Sequence, residues 1–326
     1  MPQRSGRSPA RPNSRHSDGG ARNVMTPIAP STTRALIGDA REIHNLHLRL
    51  FTLLPKELAT GTGVPKEDSK LKRRLYQDLE PLLEKASEVL GKLAERQKLL
   101  AEAGGSRPVC LELTSNFTCG MSQPTLLENG LTLLRPYGIP ILPASSIKGA
   151  LASWLAEILS GKLNLSEKEE EKALNESGFL PLFGFGTRAG GRGEEGQTGL
   201  VKFFDALPVG GPSSGPWLEA DITTVHHQSW YEGKQGATPA GFENPVPIPF
   251  LTVRKGTRFQ FCFVVPDKAS LSVQLSNGQD TALEKFGIKP GNTPAGFLED
   301  LLVSTARYKG FGSQTAKGYG RMERCA

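Results

Sequence analysis

The chain has 326 residues, which is enough for one large domain or two ordinary ones. Its 37 glycines and 24 prolines predict many turns and long loops. The formal net charge is +6, but residues 1–34 contain six arginines and a single acid. The rest of the chain is therefore nearly neutral, which excludes a globally basic nucleic-acid-binding domain.

Several other protein classes are excluded as well. The sequence contains no apolar run long enough to span a membrane, and the N-terminus lacks the apolar stretch of a secretory signal, so we expect a cytoplasmic protein. The four cysteines are scattered and form no Cys-x-x-Cys pair, which argues against a zinc site and against a disulfide scaffold. We expect them to be reduced and mostly buried, and we predict neither a cofactor nor a metal.

Two segments precede the main domain. Residues 1–33 are rich in Ser, Pro, Gly and Arg, and they are predicted to be a disordered Arg-rich tail because they cannot bury enough apolar surface. Residues 34–105 are predicted to form a helical extension, since leucines recur at spacings of three, four and seven between Lys66 and Ala103. Basic and acidic residues nearly cancel there, so we interpret the polar face as solvated rather than as a nucleic-acid surface.

Residues 106–326 show the pattern of an α+β domain. Strands are expected at 108–117, 199–206, 258–265 and from 319 onwards, and helices at 145–159 and 295–308. This β-α-β-β-α-β order is that of a ferredoxin-like unit. Residues 207–257 separate the second and third strands and are dense in Pro and Gly, which predicts a long insertion that is either functional or disordered.

The first candidate site is the start of the helix at 145–159. Ser145 or Ser146 is a suitable N-cap, and Lys148 places a cation where the helix dipole disfavours it. Gly149 lowers helix propensity, which indicates that a backbone or a ligand comes close. Free N–H groups, a dipole and a lysine together predict a phosphate site. The alternative is that Lys148 points to solvent and Gly149 serves helix packing.

The strongest pattern in the chain is a glycine-rich run between Tyr308 and Arg321. Its glycines alternate with bases and aromatic residues, so that phosphates can approach the backbone, cations can neutralise them and a ring can stack on a base. The spacing is not that of a Walker A loop, and a plain glycine-rich turn is the alternative. The residues predicted to bind RNA here are Lys309, Gly310, Gly312, Ser313, Gln314, Thr315, Lys317, Gly318, Gly320 and Arg321.

A third glycine-rich segment spans Gly184 to Gly193 and contains Arg188 and Arg192. It partly matches a dinucleotide-binding fingerprint, but the glycines that follow cannot form the helix which that fingerprint requires, so we reject a dinucleotide site. Two interpretations stay open: a basic loop that contacts RNA through Arg188 and Arg192, and a simple linker.

Catalysis has less support. His226 and His227 are adjacent, so in an extended segment they point to opposite faces and cannot share one metal or act as a facing acid–base pair. A single histidine, with Asp221 and Tyr231 nearby, could support metal-independent RNA cleavage. The alternative is that both are loop histidines with structural hydrogen bonds, and we predict no catalytic residue.

Two of these segments carry a family resemblance. Leu142–Leu151, with its Ser-Ser-Ile-Lys-Gly-Ala core, and Gly310–Gly320 resemble the two signatures of the RAMP superfamily of CRISPR-associated proteins. Many relatives have Gly at the position of Ala144. The intervening motifs are similar to one branch of that superfamily, the sixth subunits of type III-B (Cmr) effector complexes. These motifs are Leu182–Gly184, Val201–Ala206, Asp221–His227 and Glu243–Val253.

The resemblance implies a ferredoxin-like, RRM-like fold and a non-catalytic subunit that binds guide RNA (crRNA) in an antiviral ribonucleoprotein complex. Such a subunit lies near the 3′ end of the guide, beside the repeated backbone RAMP subunits. Its implied partners are the guide RNA, the complementary target RNA and the other Cmr subunits, and no association with a membrane is implied. The matching positions are Ser145, Ser146, Lys148 and the glycine loop. The alternative is a RAMP-type endoribonuclease that processes guide RNA through His226 or His227.

Overall fold

The computed structural model describes residues 43–52, 76, 79, 83, 86–123, 125, 129–185, 196–225, 233, 246–265, 275–276, 278–290 and 293–325. The predicted disordered tail, 1–33, lies outside these residues. Within them, a π-helix spans Leu48–Thr52 and a 3₁₀ turn spans Thr315–Lys317. The α-helices are α1 (Ser87–Ala103), α2 (Ala144–Ser160), α3 (Glu167–Glu176), α4 (Leu180–Phe183), α5 (Gln279–Lys285) and α6 (Pro294–Tyr308).

The described part of the chain has twelve strands, most of them five residues long or shorter. They are β1 (Val109–Leu113), β2 (Leu133–Leu134), β3 (Ile139–Pro140), β4 (Gly184–Phe185), β5 (Gln197–Thr198), β6 (Lys202–Phe203), β7 (Leu207–Gly210), β8 (Leu218–Val225), β9 (Val246–Val253), β10 (Arg258–Phe261), β11 (Phe263–Val264) and β12 (Met322–Arg324). The mixture of helices and sheets is that of an α+β fold, as the sequence predicts.

A four-stranded antiparallel sheet lies at the centre of the fold, with the strand order β12-β1-β10-β7. Along the chain these strands alternate with α2, which follows β1, and with α6, which precedes β12. One face of the sheet is apolar: Val109 lies opposite Phe261 and Leu111 lies opposite Phe259, and all four side chains are at most 4% exposed. Helices α2 and α6 contribute buried residues to the same core, and α6 packs against both α2 and β12.

Helices α2 and α6 begin and end close to their predicted positions. Helix α6 starts after Thr293, whose hydroxyl accepts a hydrogen bond from the Gly296 amide at 3.2 Å, with Pro294 in the first turn. Both features are typical of helix N-termini, because a proline there removes an amide that would have no helical partner. Helix α2 begins at Ala144 and ends at Ser160, and the C-cap residue that follows, Gly161, has a left-handed conformation.

Several strands differ from their predicted bounds, and the first, predicted at 108–117, spans only Val109–Leu113. The second strand of the central sheet is Leu207–Gly210 rather than 199–206, and it contains Pro208, which the sequence pattern assigns to the start of the insertion. Proline is tolerated there because β7 is an edge strand, where a missing amide breaks no ladder hydrogen bond. The last strand starts at Met322, three residues later than predicted, because Gly318 and Gly320 have positive φ angles that continue the turn.

The expectation that all cysteines are reduced is wrong for two of them. Cys110 of β1 and Cys325, just after β12, form a disulfide with a Cα–Cα distance of 5.5 Å. The two residues are 215 positions apart in sequence and become neighbours only because β1 and β12 pair in the sheet. Cys119 and Cys262 are free and buried, as expected.

The described parts of the helical extension pack onto this core. Leu46 and Leu50 are buried in the same apolar cluster as the central sheet, together with Tyr76, Leu79 and Leu83. Helix α1 contacts β7 and β11, and the Gln260 side chain donates a hydrogen bond to the Ala94 carbonyl at 2.8 Å. The polar face of the central sheet is therefore partly covered by α1.

Part of the predicted insertion is an ordered hairpin. Strands β8 and β9 pair in register from Leu218 opposite Val253 to Val225 opposite Val246. At its base the hairpin meets the core through an isolated bridge between Phe117 and Val253. No helix in the described part of the chain is long and apolar enough to cross a membrane.

Candidate nucleic-acid interface

The two signature segments line one cleft of about 500 Å³, which we call the glycine-loop cleft. The first turns of α2 and the glycine-rich loop both contribute residues to it. A third segment, Cys119–Gln123 with Thr132, closes the cleft, and no sequence pattern predicts it. The lining residues are Cys119, Gly120, Ser122, Gln123, Thr132, Pro143, Ser145, Ser146, Ala150, Lys309, Gly310, Gly312, Ser313 and Thr315.

The start of α2 differs from the predicted capping arrangement. Pro143, with an extended backbone, occupies the N-cap position, and Ser145 and Ser146 lie inside the first turn. The carboxylate of Asp205 accepts a hydrogen bond from the Ala144 amide at 2.8 Å and so replaces a side-chain cap. Ser145 and Ser146 are therefore free of a capping role and line the cleft.

A buried thiol, that of Cys119, contacts Ser146 in the lining of the cleft. Cys119 is 7% exposed and its side chain is hydrogen-bonded with Ser146 and Thr132. Burial raises the pKa of the Cys119 thiol above its ordinary value, and the two hydrogen bonds only partly oppose this effect. The sulfur is consequently a neutral thiol near pH 7, and its role here is to position the hydroxyls of the cleft wall.

The glycines of the loop are required by the loop itself. Gly312 has φ +89°, and a Cβ there would collide with the Thr118 carbonyl; Gly320 has φ +70°, and a Cβ there would collide with the Phe311 carbonyl. Gly310 likewise has φ +77°. The approach of a phosphate is the reason that the sequence suggests for these glycines, but close packing of the backbone on itself is sufficient to explain them.

Backbone hydrogen bonds hold the loop rigidly against the segment after β1. The Ser313 amide donates to the Thr118 carbonyl at 2.7 Å, and the Gly320 amide donates to the Asn116 carbonyl at 2.8 Å. Within the loop, the Phe311 amide donates to the Gly320 carbonyl at 3.0 Å. The hydroxyls of Ser313 and Thr315 are thereby fixed opposite the first turn of α2.

Of the six predicted RNA-binding cations, the structure describes four, and two of these are engaged inside the protein. The Lys309 ammonium lies 2.9 Å from Glu157 Oε1 and 2.7 Å from Ser153 Oγ, and Glu157 is only 7% exposed. The Arg321 guanidinium donates to the Arg307 carbonyl at the end of α6, at 3.2 Å, and burial lowers its pKa from the ordinary value. Both side chains therefore satisfy internal acceptors.

The other two cations are exposed. Lys148, on the first turns of α2, and Lys317, at the end of the 3₁₀ turn, form no ion pair with another described residue. Gly149 and Gly318 also face open space, since a Cβ at either position would have no heavy atom within 4 Å. Lys148 and Lys317 are thus the charges at this site that remain available to a phosphate.

Tyr319 connects the glycine loop to the β8–β9 hairpin. Its hydroxyl donates to Asp221 Oδ2 at 2.5 Å. Burial, followed by the hydrogen bond and the charges of Asp221 and Glu219, raises the pKa of Tyr319 to about 12. Asp221, the candidate partner of a catalytic histidine, is therefore engaged with the loop. Arg188, Arg192, His226, His227 and Tyr231 lie outside the described residues.

Comparisons with known proteins agree with the sequence signatures. A family model described as the RAMP superfamily matches residues 34–323. The protein "CRISPR system Cmr subunit Cmr6" of Pyrococcus furiosus is 24% identical over 308 residues, which cover 81% of this chain and 76% of the relative.

Among solved structures, the type III-B Cmr-beta complex bound to cognate target RNA contains a chain that matches 86% of this chain and 79% of its own length, with 19% identity and a TM-score of 0.47. The crystal structure of Cmr6 from Pyrococcus furiosus matches 68% of this chain and 98% of its own length, with 23% identity and a TM-score of 0.35.

Proposed function

The chain belongs to the RAMP superfamily, and on that premise we propose that it is a subunit of a type III-B CRISPR effector complex that binds the guide RNA without cleaving it. The observation that carries this proposal is the glycine-loop cleft of about 500 Å³, which residues of both superfamily signatures line. Segments more than 150 residues apart in the sequence meet there with polar side chains directed into the same cleft.

The chemistry of the cleft suits a sugar–phosphate backbone. Its polar lining consists mainly of hydroxyl groups from the two signature segments, and each segment also carries an exposed lysine, Lys148 or Lys317. Hydroxyls and lysines contact phosphates and riboses but do not distinguish one base from another. The cleft would therefore position the RNA strand, while sequence recognition would come from base pairing between the guide and its target.

The relative from Pyrococcus furiosus supports the assignment to a Cmr complex, since the two chains align over most of their lengths. We further propose that the central sheet with α2 and α6 is a ferredoxin-like unit, which the β-α-β-β-α-β order and the antiparallel pairing of its strands support. The partners would be the guide RNA near its 3′ end, the complementary target RNA and the neighbouring Cmr subunits, in the cytoplasm.

The lining of the cleft also supports a non-catalytic role. Among the described residues that line it, none is a histidine, an aspartate or a glutamate. General acid–base cleavage of RNA most often uses such a group within hydrogen-bond distance of the 2′-hydroxyl or of the leaving oxygen. The lysine and the cysteine that do line the cleft, Lys309 and Cys119, are already engaged by partners inside the protein. RNA held in this cleft would therefore be bound and left intact.

Ultraviolet crosslinking of the full chain to guide RNA, with and without the neighbouring subunits, tests the proposal. We expect crosslinked peptides from 310–321 and from the first turns of α2, and intact RNA after incubation in EDTA. Crosslinks confined to other surfaces would contradict the proposed site. RNA cleavage that disappears in His226→Ala or His227→Ala would instead identify an endoribonuclease.

A further inference from the structure

A second cleft, of about 560 Å³, lies directly beside the glycine-loop cleft, and we call it the aromatic cleft. Gln123 and Thr132 line both clefts, so these two side chains form the wall between them. A volume of this size falls within the range of small-molecule and nucleotide sites. No role of these residues follows from the superfamily signatures, which lie in α2 and in the glycine loop.

The aromatic cleft combines a ring pair with an apolar floor. The rings of His47 and Phe51 are in edge-to-face contact, with centroids 5.4 Å apart and an interplanar angle of 68°. Both rings are half-buried. The apolar floor consists of Leu131 and Leu133, which are 2% and 7% exposed and belong to the main core. These surfaces, together with the polar side chains of Gln123, Thr125 and Thr132 in the same lining, suit a flat group with polar edges.

A cation stands at the edge of the same cleft. Arg135 lies in the turn between β2 and β3, where its side chain is exposed and forms no ion pair with another described residue. Burial, with a smaller contribution from the Arg135 charge, lowers the pKa of His47, so its imidazole is neutral near pH 7. A neutral ring offers one hydrogen-bond donor and one acceptor besides its π face.

The segment that contains His47 and Phe51 is fixed to the rest of the fold by hydrogen bonds and by buried leucines. The Asn45 side-chain amide donates to the carbonyls of Arg135 and Pro136 at 3.0 and 3.1 Å. Leu46 and Leu50 anchor the same segment in the core. Phe51 lies in a π-helix, a rare conformation that is frequent at functional sites. The aromatic cleft is therefore a preformed feature of the fold.

We propose that the aromatic cleft binds one unpaired nucleobase of the RNA strand whose backbone lies in the glycine-loop cleft. The inference rests on the proposed function, since it assigns the next segment of the same strand. The base would contact the rings of His47 and Phe51 and the apolar floor, and Arg135 would neutralise the adjoining phosphate. Aromatic contacts of this kind accept any base, because every base has a π face.

The test measures binding of two labelled oligonucleotides by fluorescence anisotropy with the full-length chain. One is a single-stranded RNA of about ten nucleotides, and the other has the same length and abasic riboses. The variant Phe51→Leu keeps an apolar side chain but removes the π face. Its matched control is Phe203→Leu, which alters a half-buried ring of β6 that lines neither cleft.

We expect Phe51→Leu to weaken binding of the base-containing RNA by about five-fold or more and to leave binding of the abasic strand unchanged. Lys317→Ala should weaken binding of both strands. If Phe51→Leu binds both strands like the wild-type chain, or loses affinity equally for both, the aromatic cleft takes no base and only this inference fails. A wild-type chain that binds neither strand would overturn the proposed function as well.

Discussion

The cationic side chains of the two signature segments differ in whether a group inside the protein already engages them. Lys309 is neutralised by the buried carboxylate of Glu157, and Arg321 donates to a carbonyl at the end of α6. Lys148 and Lys317 are exposed and have no ion-pair partner among the described residues. A lysine that already pairs with a carboxylate is less able to neutralise a phosphate and so displaces few counterions from the RNA. Phosphate neutralisation should therefore depend on Lys148 and Lys317.

Replacing Lys317 with alanine should reduce the salt dependence of RNA binding. For single strands, each lost phosphate contact lowers the slope of log K against log salt by about 0.7. Binding measured by anisotropy at several salt concentrations gives this slope, and Lys148→Ala should behave alike. Lys285→Ala, an exposed lysine of α5 outside both clefts, is the matched control. An unchanged slope in Lys317→Ala would remove this residue from the RNA site.

Replacing Lys309 with methionine should affect stability rather than the salt slope. The substitution leaves the Glu157 carboxylate, which is 7% exposed, without its cation. An uncompensated buried charge of this kind costs about 1–3 kcal/mol or more of unfolding free energy, measured by urea denaturation. The double variant Glu157→Gln with Lys309→Met should recover part of the loss. A fully stable Lys309→Met with a reduced salt slope would show that Lys309 binds phosphate instead.

At the scale of elements, the side chain of Tyr319 joins the glycine loop to the β8–β9 hairpin. Tyr319 of the loop donates to Asp221 of β8, and the Phe250 ring of β9 lies 6.0 Å from the Tyr319 ring. Asn116 reinforces the same junction through a 3.1 Å hydrogen bond to Glu219. The position of the hairpin relative to the glycine-loop cleft is therefore set by the loop that the RNA would contact.

This junction should give the protein a specific response to alkaline pH. The pKa of Tyr319 rises from 10.0 to about 12 on folding, so between these values the unfolded chain loses the proton first. The stabilisation is complete below pH 10 and is lost as pH rises towards 12. We expect the unfolding free energy of Tyr319→Phe to fall less steeply over this interval than that of the wild type. Tyr308→Phe, the matched control, should follow the wild type; identical slopes in all three would contradict the assignment.

The elements differ in how well sequence predicts them. Helices α2 and α6 follow from apolar periodicity and, for α6, from Thr293 with Pro294. Helix α3 has the capping box of Ser166 with Glu169, a local signal that could have predicted it and was not among the expected elements. Strand β7 escapes prediction because Pro208 indicates a turn unless the strand is known to lie at an edge.

The candidate site can be predicted from the sequence only in part, because some of its contacts join residues that are far apart in the chain. Local patterns of glycine, serine and lysine identify both signature segments. The third wall, Cys119–Gln123, and the pairing of Lys309 with Glu157 depend on contacts between residues far apart in sequence, which no local pattern reports. The roles assigned to the individual RNA-binding residues stay predictions.

At the scale of the whole molecule, one covalent bond joins the first and last strands of the central sheet. Cys110 precedes almost the entire domain and Cys325 ends it, and their Cα atoms are 5.5 Å apart. The glycine loop connects α6 to β12, and Cys325 of the disulfide follows directly after β12. Opening the disulfide would release the C-terminal end of the segment that forms one side of the glycine-loop cleft.

Removal of the disulfide should destabilise the protein measurably. Native disulfides that close long loops typically contribute about 2–4 kcal/mol. We expect Cys325→Ala to lower the urea midpoint by a corresponding amount, and reductant to lower the midpoint of the wild type to a similar value. Reductant should leave the midpoint of Cys325→Ala unchanged. A wild-type midpoint that does not respond to reductant would show that the bond contributes nothing to stability.

The same bond turns the chain from 110 to 325 into a closed ring. A single proteolytic nick in an exposed turn, such as between Lys162 and Leu163, where Leu163 is 74% exposed, would leave the two fragments of that ring covalently attached. The fragments would separate only on a reducing gel. A protease that cuts a few peptide bonds in the cell would thus leave the sheet, both signature segments and the glycine-loop cleft in one molecule for as long as the sulfur bridge persists.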